Sequence, residues 1–197
     1  MPVRSPRLKI VRRLGAQLPG LTRKDAGRAA PPRTRRKPSA YRLALEEKQK
    51  VRFNYGVTER QMRRYLEAAK RVPGRTGENL LLLLEQRLDN VVFRLGLAPT
   101  IPAARQLVAH GHVQVNGRRL DRAAYLVGTG DTVSLASSAR ASDTLRAVAD
   151  QEPRLRVPSH LQRDPMDPCA GRVISAPARG EVPFAVKEAL VVEFYAR

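Results

Sequence analysis

Met62, Tyr65, Leu66 and Ala69 fall at i, i+3, i+4 and i+7, which predicts a helix with one apolar face. Thr58 starts it, with Gln61 three residues on in capping-box order, and Val72-Pro73-Gly74 stops it. Tyr41 to Tyr55 reads as the helix before it, with Glu46 and Lys50 paired at i, i+4 in the favourable order and Gly56 at its end. A third helix begins at Thr76, and its Leu80–Leu84 run is expected to be core where the first region packs on the rest. Leu88, Val91, Val92 and Leu95 make one more apolar face, closed by Gly96 at the C′ position. Thr100 is the expected N-cap of a fifth helix, with Pro102 tolerated in its first turn and Ala104, Leu107 and Val108 facing inward up to Gly111.

The period then changes from helical to alternating. Val113 and Val115 alternate with polar residues into Asn116-Gly117, a strong tight-turn signal, with Arg118 and Arg119 at the turn. A second strand runs from Thr132 to Leu135 after Gly130-Asp131. The tail is less regular. Ser138–Ala149 has helix character, short strands are expected at Leu155–Val157 and Arg172–Ser175, Val182–Ala189 reads as a short helix, and Leu190–Tyr195 as a terminal extended segment. No internal repeat is visible.

Charge changes the picture more than composition does. Of a formal net charge of +19, residues 1–77 carry +17, from 22 Lys and Arg against 5 acids. Phosphate is the simplest partner for such a segment, because each neutralised phosphate releases condensed counterions. An anionic membrane is the competing partner, but the longest apolar runs are five residues, Trp is absent, and the basic helices hold few bulky apolar residues to insert. Residues 1–40 hold six prolines among clusters of Arg and Lys, without a hydrophobic period, and are expected to be largely disordered off their partner. The lone Cys169 excludes an internal disulfide and fits a reducing compartment.

From Arg87 onward the order R-L-D-N-V-V-F-R-L-G, A-A-R-Q-L-V, G-H-V-Q-V-N-G and G-D resembles the small RNA-binding domain first described in the fourth small-subunit ribosomal protein. Other segments resemble that family too: R-L-K-I-V-R-R-L-G, L-P-G-L-T-R-K, L-E-E-K-Q-K-V-R-F-N-Y-G-V-T-E-R-Q and the ending E-A-L-V-V-E-F-Y. The resemblance covers nearly the whole chain and starts at Ser5, leaving no room for a removable presequence. It implies an α+β architecture: a basic arm over 1–40, a helical domain over 41–86 completed by 178–197, and over 87–177 an RNA-binding module of two helices packed on a short, mostly antiparallel sheet, together with its extension. It also implies a primary rRNA-binding protein that nucleates assembly of the subunit body and contributes to translational accuracy. Its implied partners are small-subunit rRNA and, among neighbouring proteins, the fifth and twelfth of the small subunit. No membrane, small-molecule substrate or cofactor is implied. The wording is similar to the cyanobacterial and chloroplast branch. That points to a ribosome in the chloroplast stroma, while the abundance of Arg and Ala keeps the cytoplasm of a cyanobacterium or other bacterium open.

Some family members bind zinc through four cysteines in the arm. This chain has no cysteine before Cys169, and His110 and His112 lack a second ligand pair, so no metal is expected. The rival function is enzymatic. Pseudouridine synthases carry the same module and a catalytic aspartate in an R-L-D context, which occurs here at Arg87–Asp89 and Arg119–Asp121. Only about sixty residues follow the module's closing strand at Leu135, too few for a catalytic core of ~100. The expected role is therefore to hold RNA. Arg12, Arg13, Lys24, Arg35 and Arg36 are assigned to phosphate contacts from the arm. Lys48, Lys50, Arg52, Arg60, Arg63, Arg64, Lys70 and Arg71 are assigned to a basic helical face. Thr100, Arg105, Gln106 and His110, with Asn116, Arg118 and Arg119 at the turn, are assigned to the module's surface. Tyr41 and Tyr65 are candidates to stack on a base, with a core role favoured for Tyr65 by its apolar face.

Overall fold

The structure, a computed structural model, describes residues 6–24 and 39–196. In chain order its helices are α1 (Arg7–Leu14), α2 (Ala40–Asn54), α3 (Glu59–Lys70), α4 (Thr76–Glu85), α5 (Leu88–Arg94), α6 (Ile101–Ala109), α7 (Ser137–Arg140), α8 (Asp143–Asp150) and α9 (Glu188–Ala196). The strands are β1 (Val113–Val115), β2 (Arg118–Leu120), β3 (Thr132–Leu135), β4 (Leu161–Arg163) and β5 (Ala170–Val173), and a 3-10 turn lies at Arg179–Glu181. The chain divides into two compact units. One holds the residues up to Leu81 together with Pro183 onward, and the other runs from Leu82 to Val182.

In the first unit α2 packs against α9 and α1. Ser39 caps α2, its hydroxyl accepting from the Arg42 amide at 3.2 Å. Thr58 and Gln61 cap α3 reciprocally: Thr58 Oγ1 accepts from the Gln61 amide at 3.3 Å, and Gln61 Oε1 accepts from the Thr58 amide at 3.0 Å. Met62, Leu66 and Ala69 are buried, while Tyr65 is only half-buried. The carbonyls at the end of α3 are met by Asn79, whose Nδ2 donates to Val72 O at 2.9 Å and to Ala69 O at 3.3 Å. Tyr55 and Phe184 pack edge to face with ring centres 5.9 Å apart.

Two expectations about this unit are corrected. The described part of the arm is folded: α1 buries Ile10 and Val11, Leu18 and Leu21 are buried beyond it, and the Gly20 amide donates to Asn54 Oδ1 at 3.0 Å. These four apolar residues are too few to show a period, but they gain a core from elements distant in sequence. Residues 25–38 lie outside the described residues. The C-terminus is the second correction. Its apolar Leu-Val-Val-Glu-Phe-Tyr run is a helix, because Val191 is buried and α2 supplies the surface it packs on. A short apolar run does not by itself separate strand from helix, and tertiary packing decides.

In the second unit α5 packs on α6, and the sheet has the order β2-β1-β3-β5-β4 with every pairing antiparallel. Val113, Val115, Val133, Leu135, Leu161 and Val173 point to the buried face, with Leu88, Val91, Val92, Leu95, Ile101, Ala104 and Val108 in the same core. Asn116 at φ 50 and Gly117 at φ 75 make the two-residue turn between β1 and β2, the left-handed pair that matches strand twist. Gly171 lets Leu95, the residue that ends α5, approach the sheet: a Cβ there would stand 2.5 Å from Leu95 Cδ2 and 2.9 Å from Gln162 O.

Arg118 and Arg119 belong to a strand rather than to the turn, pairing with Val115 and Gln114. The tail departs further. Leu155–Val157 is irregular; the strand that pairs with β5 is β4, six residues later. The helix expected over Ser138–Ala149 is broken into α7 and α8 at Ala141-Ser142. The break lets Arg140 reach back, its Nε donating to Leu135 O at 2.8 Å and Nη1 pairing with Asp167 at 2.7 Å.

Candidate nucleic-acid interface

The cations of the first unit fall into two classes. On α3, Arg60, Arg63, Arg64, Lys70 and Arg71 are exposed, because the same periodicity that buries Met62, Leu66 and Ala69 turns them outward. Lys70 has an intrahelical partner, Glu67, at 2.9 Å. Arg12 and Arg13 are exposed on α1, and Lys24 is exposed after it. Arg35 and Arg36 lie outside the described residues. Arg7 and Lys9 are exposed on α1 as well. They escape the sequence reading because α1 itself does.

The cations of α2 behave differently, which corrects the assignment of all of them to an open face. Lys48 is buried, with its Nζ 3.1 and 3.2 Å from the two Glu59 oxygens and 4.2 Å from the centre of the Phe194 ring. Lys50 donates to Glu47 Oε1 at 2.6 Å, both side chains mostly covered. Arg52 is intermediate, 3.6 Å from Glu59. Lys48 and Arg52 thus tie α2 to Glu59 of α3, Lys48 also meets Phe194 of α9, and Lys50 is engaged within α2 itself. Tyr41 is exposed and lies 5.6 Å from the Phe194 ring centre, so its open face is available for stacking.

The second unit also splits its assigned residues. Thr100 is buried and spends its hydroxyl on the Ala103 amide at 3.3 Å as the cap of α6, so it is withdrawn as a contact residue. Gln106 and His110 are exposed on α6, and Asn116, Arg118 and Arg119 are exposed on the β1–β2 hairpin. Asn116 braces its own turn: Oδ1 accepts from the Thr132 amide at 2.9 Å and Nδ2 donates to Asp131 at 2.7 Å. Arg119 lies over Gly111 and donates from Nη2 to His110 O at 2.9 Å, closing the C-terminus of α6. The hairpin is thereby fastened to the helix, and the two present their polar groups from one rigid frame.

Asp89, the aspartate of the first R-L-D, is fully buried. Arg87 grips it with Nε to Oδ1 at 2.9 Å and Nη2 to Oδ2 at 2.7 Å, and Arg105 adds Nη2 to Oδ2 at 2.6 Å. Arg105 is therefore tied to the core, with its side chain 36% exposed. An aspartate with both oxygens held by guanidinium groups and no exposure cannot reach a base, so this R-L-D is structural. Asp121 of the second R-L-D is exposed. Among the described residues, no group of three or more His, Cys, Asp or Glu is placed to hold a metal ion, and no helix is long and apolar enough to cross a membrane.

One unit thus carries a set of exposed cations on helices, and the other a rigid helix–hairpin surface whose R-L-D aspartate, Asp89, is buried. That is equipment for binding a polyanion. Comparison with known proteins agrees. A ribosomal protein S4/S9 N-terminal domain matches residues 2–85, and an S4 domain matches residues 86–133. The chain is similar to small ribosomal subunit protein uS4 of Nostoc punctiforme, 52% identical over 198 residues that cover 98% of this chain and 97% of that one. The proteins of the same name from Thermosynechococcus vestitus and Microcystis aeruginosa are 51% and 50% identical with the same coverage. With likeness at this level running through both units, the chain belongs to the ribosomal protein S4 family.

Proposed function

We propose that this protein is a structural constituent of the small ribosomal subunit that binds small-subunit rRNA directly and acts early in assembly of the subunit body. The observation that carries the reading is the exposed cations of α3 and its C-cap, Arg60, Arg63, Arg64 and Arg71, together with Arg7, Lys9, Arg12 and Arg13 of α1 in the same unit. Cations of this kind supply strong attraction to phosphate with little sequence information. The module adds a second surface, through Gln106, His110 and the Arg118–Arg119 strand. Two surfaces in one chain select a folded junction over a linear strand, because both engage only where RNA helices converge. The same reading includes a contribution to decoding accuracy beside the fifth and twelfth small-subunit proteins. It places the ribosome in the cyanobacterial and chloroplast lineage, in the stroma of a chloroplast or the cytoplasm of a bacterium.

Charge reversal at Arg60, Arg63 and Arg64 tests it by filter binding to the 5′ domain of small-subunit rRNA. The triple variant is expected to bind far more weakly than one reversed at the exposed Arg146 and Arg156 of the other unit. It should also lower the salt slope by about two units, if three phosphates are lost. Equal losses from both sets would overturn the assignment of the face.

A further inference from the structure

Among the carboxylates of the first unit, Glu59 meets two cations of another helix, Lys48 and Arg52. Glu59 opens α3, yet Thr58 and Gln61 already cap that helix, so capping does not account for it. Its Oε1 accepts from the Tyr195 hydroxyl at 2.7 Å and from Lys48 Nζ at 3.2 Å, while Oε2 accepts from Lys48 at 3.1 Å and faces Arg52 Nη1 at 3.6 Å. Tyr195 in turn lies under the Arg63 guanidinium, 5.9 Å from ring centre to Cζ. Three helices, α2, α3 and α9, thus converge on one acid whose side chain remains 36% exposed.

A partly exposed acid on a phosphate-binding face repels the ligand and lowers affinity. Burial raises the Glu59 carboxyl; hydrogen bonds from Tyr195 and Lys48 and the charges of Lys48 and Arg52 more than offset this, holding it below the usual range. Burial and the same carboxylate push the Tyr195 phenol up, so it remains a donor. The acid is therefore ionised whenever the surface meets RNA. What it provides is order. Free Lys and Arg side chains carry large rotamer entropy that binding must remove, and a cation already held in place loses less.

We propose that Glu59 and Tyr195 are a positioning pair: they hold Arg52 and Arg63 in one arrangement and keep phosphate out of the gap between them, so that the face accepts a folded RNA in one register. Specificity improves at the expense of raw affinity, the general pattern of an interface that carries a repulsive element. This inference rests on the rRNA-binding reading of the same face.

The test uses the full-length protein with Tyr195→Phe, which keeps the ring and removes the donor, and Glu59→Gln, which removes the charge. Binding is measured to the folded 5′ domain and to an unstructured RNA of equal length at moderate salt. Tyr195→Phe is expected to bind unstructured RNA within about twofold of the wild type and to lose roughly three- to tenfold of its preference for the folded RNA. Glu59→Gln is expected to bind unstructured RNA more tightly while losing the same preference. A structural defect alone would weaken both RNAs together, and that result, or a preference unchanged within about twofold in both variants, would overturn the proposal. A wild type without preference would instead overturn the rRNA reading of the face, and this inference with it.

Discussion

Replacing Asp89 by Asn should destabilise the module by about 3 kcal/mol. The substitution preserves shape and removes one charge. Arg87, 1% exposed, then stays in the core facing a neutral amide in place of the Asp89 carboxylate, and that amide turns an NH2 toward at least one guanidinium. Breaking a buried pair by removing one partner costs about 3–5 kcal/mol, because an uncompensated charge remains. We take the lower end because Arg105 is more than a third exposed and can turn to water, leaving Arg87 as the main loss. Urea unfolding followed by circular dichroism measures it, read as a midpoint shift at constant m. The double variant Asp89→Asn/Arg87→Met supplies the decisive comparison. Removing both charges should recover much of the loss, since apolar replacement of a buried pair is often near neutral. A single-variant loss below about 1 kcal/mol, or a double variant no better than the single, would refute the argument that the stranded charge is what costs.

Gly171→Ala should cost about 1–3 kcal/mol, since its Cβ would meet Leu95 and the Gln162 carbonyl inside van der Waals distance; equal melting of variant and wild type would refute the close approach. Glu181 gives a pH signature. Burial raises its carboxyl, but hydrogen bonds from His160 Nδ1 at 2.9 Å and from the Ser159 amide dominate and bring it down to about 2 from an ordinary 4.5. A carboxyl depressed in the folded state stabilises above its unfolded value and loses that contribution as pH falls through the folded one. The stability margin of wild type over Glu181→Gln should be present at pH 6 and close between about pH 4.5 and 2; a margin independent of pH in that window would contradict it.

Helices with caps and a full apolar period were legible from residues alone. Thr58 with Gln61, the Met62–Leu66–Ala69 face, Thr100 and the Asn116-Gly117 turn all rest on contacts within a few residues, and local chemistry determines them. The outward Arg60, Arg63 and Arg64 follow from the same period, since a helix that buries one face must expose the other. So does the concentration of charge in the first two fifths of the chain, which points to a polyanion without any structure.

Other features were decided only by residues far apart in sequence. α1 has few apolar residues and α9 is apolar almost throughout, so neither shows one apolar face from its own sequence, and each forms on a surface that α2 provides. β4 was misplaced because a three-residue strand is specified by its partner β5 rather than by its own pattern. Charge misled in the same way. Lys48 and Arg60 are both cations on helices, but Glu59, Phe194 and Tyr195 converge on Lys48 and bury it, while nothing in the local sequence distinguishes the two. Asp89 reads as a helix-terminal acid or a catalytic one until Arg105, sixteen residues on, closes over it. Period and capping are short-range physics, written in neighbouring residues. Desolvation and pairing of a charge depend on what the folded chain brings beside it.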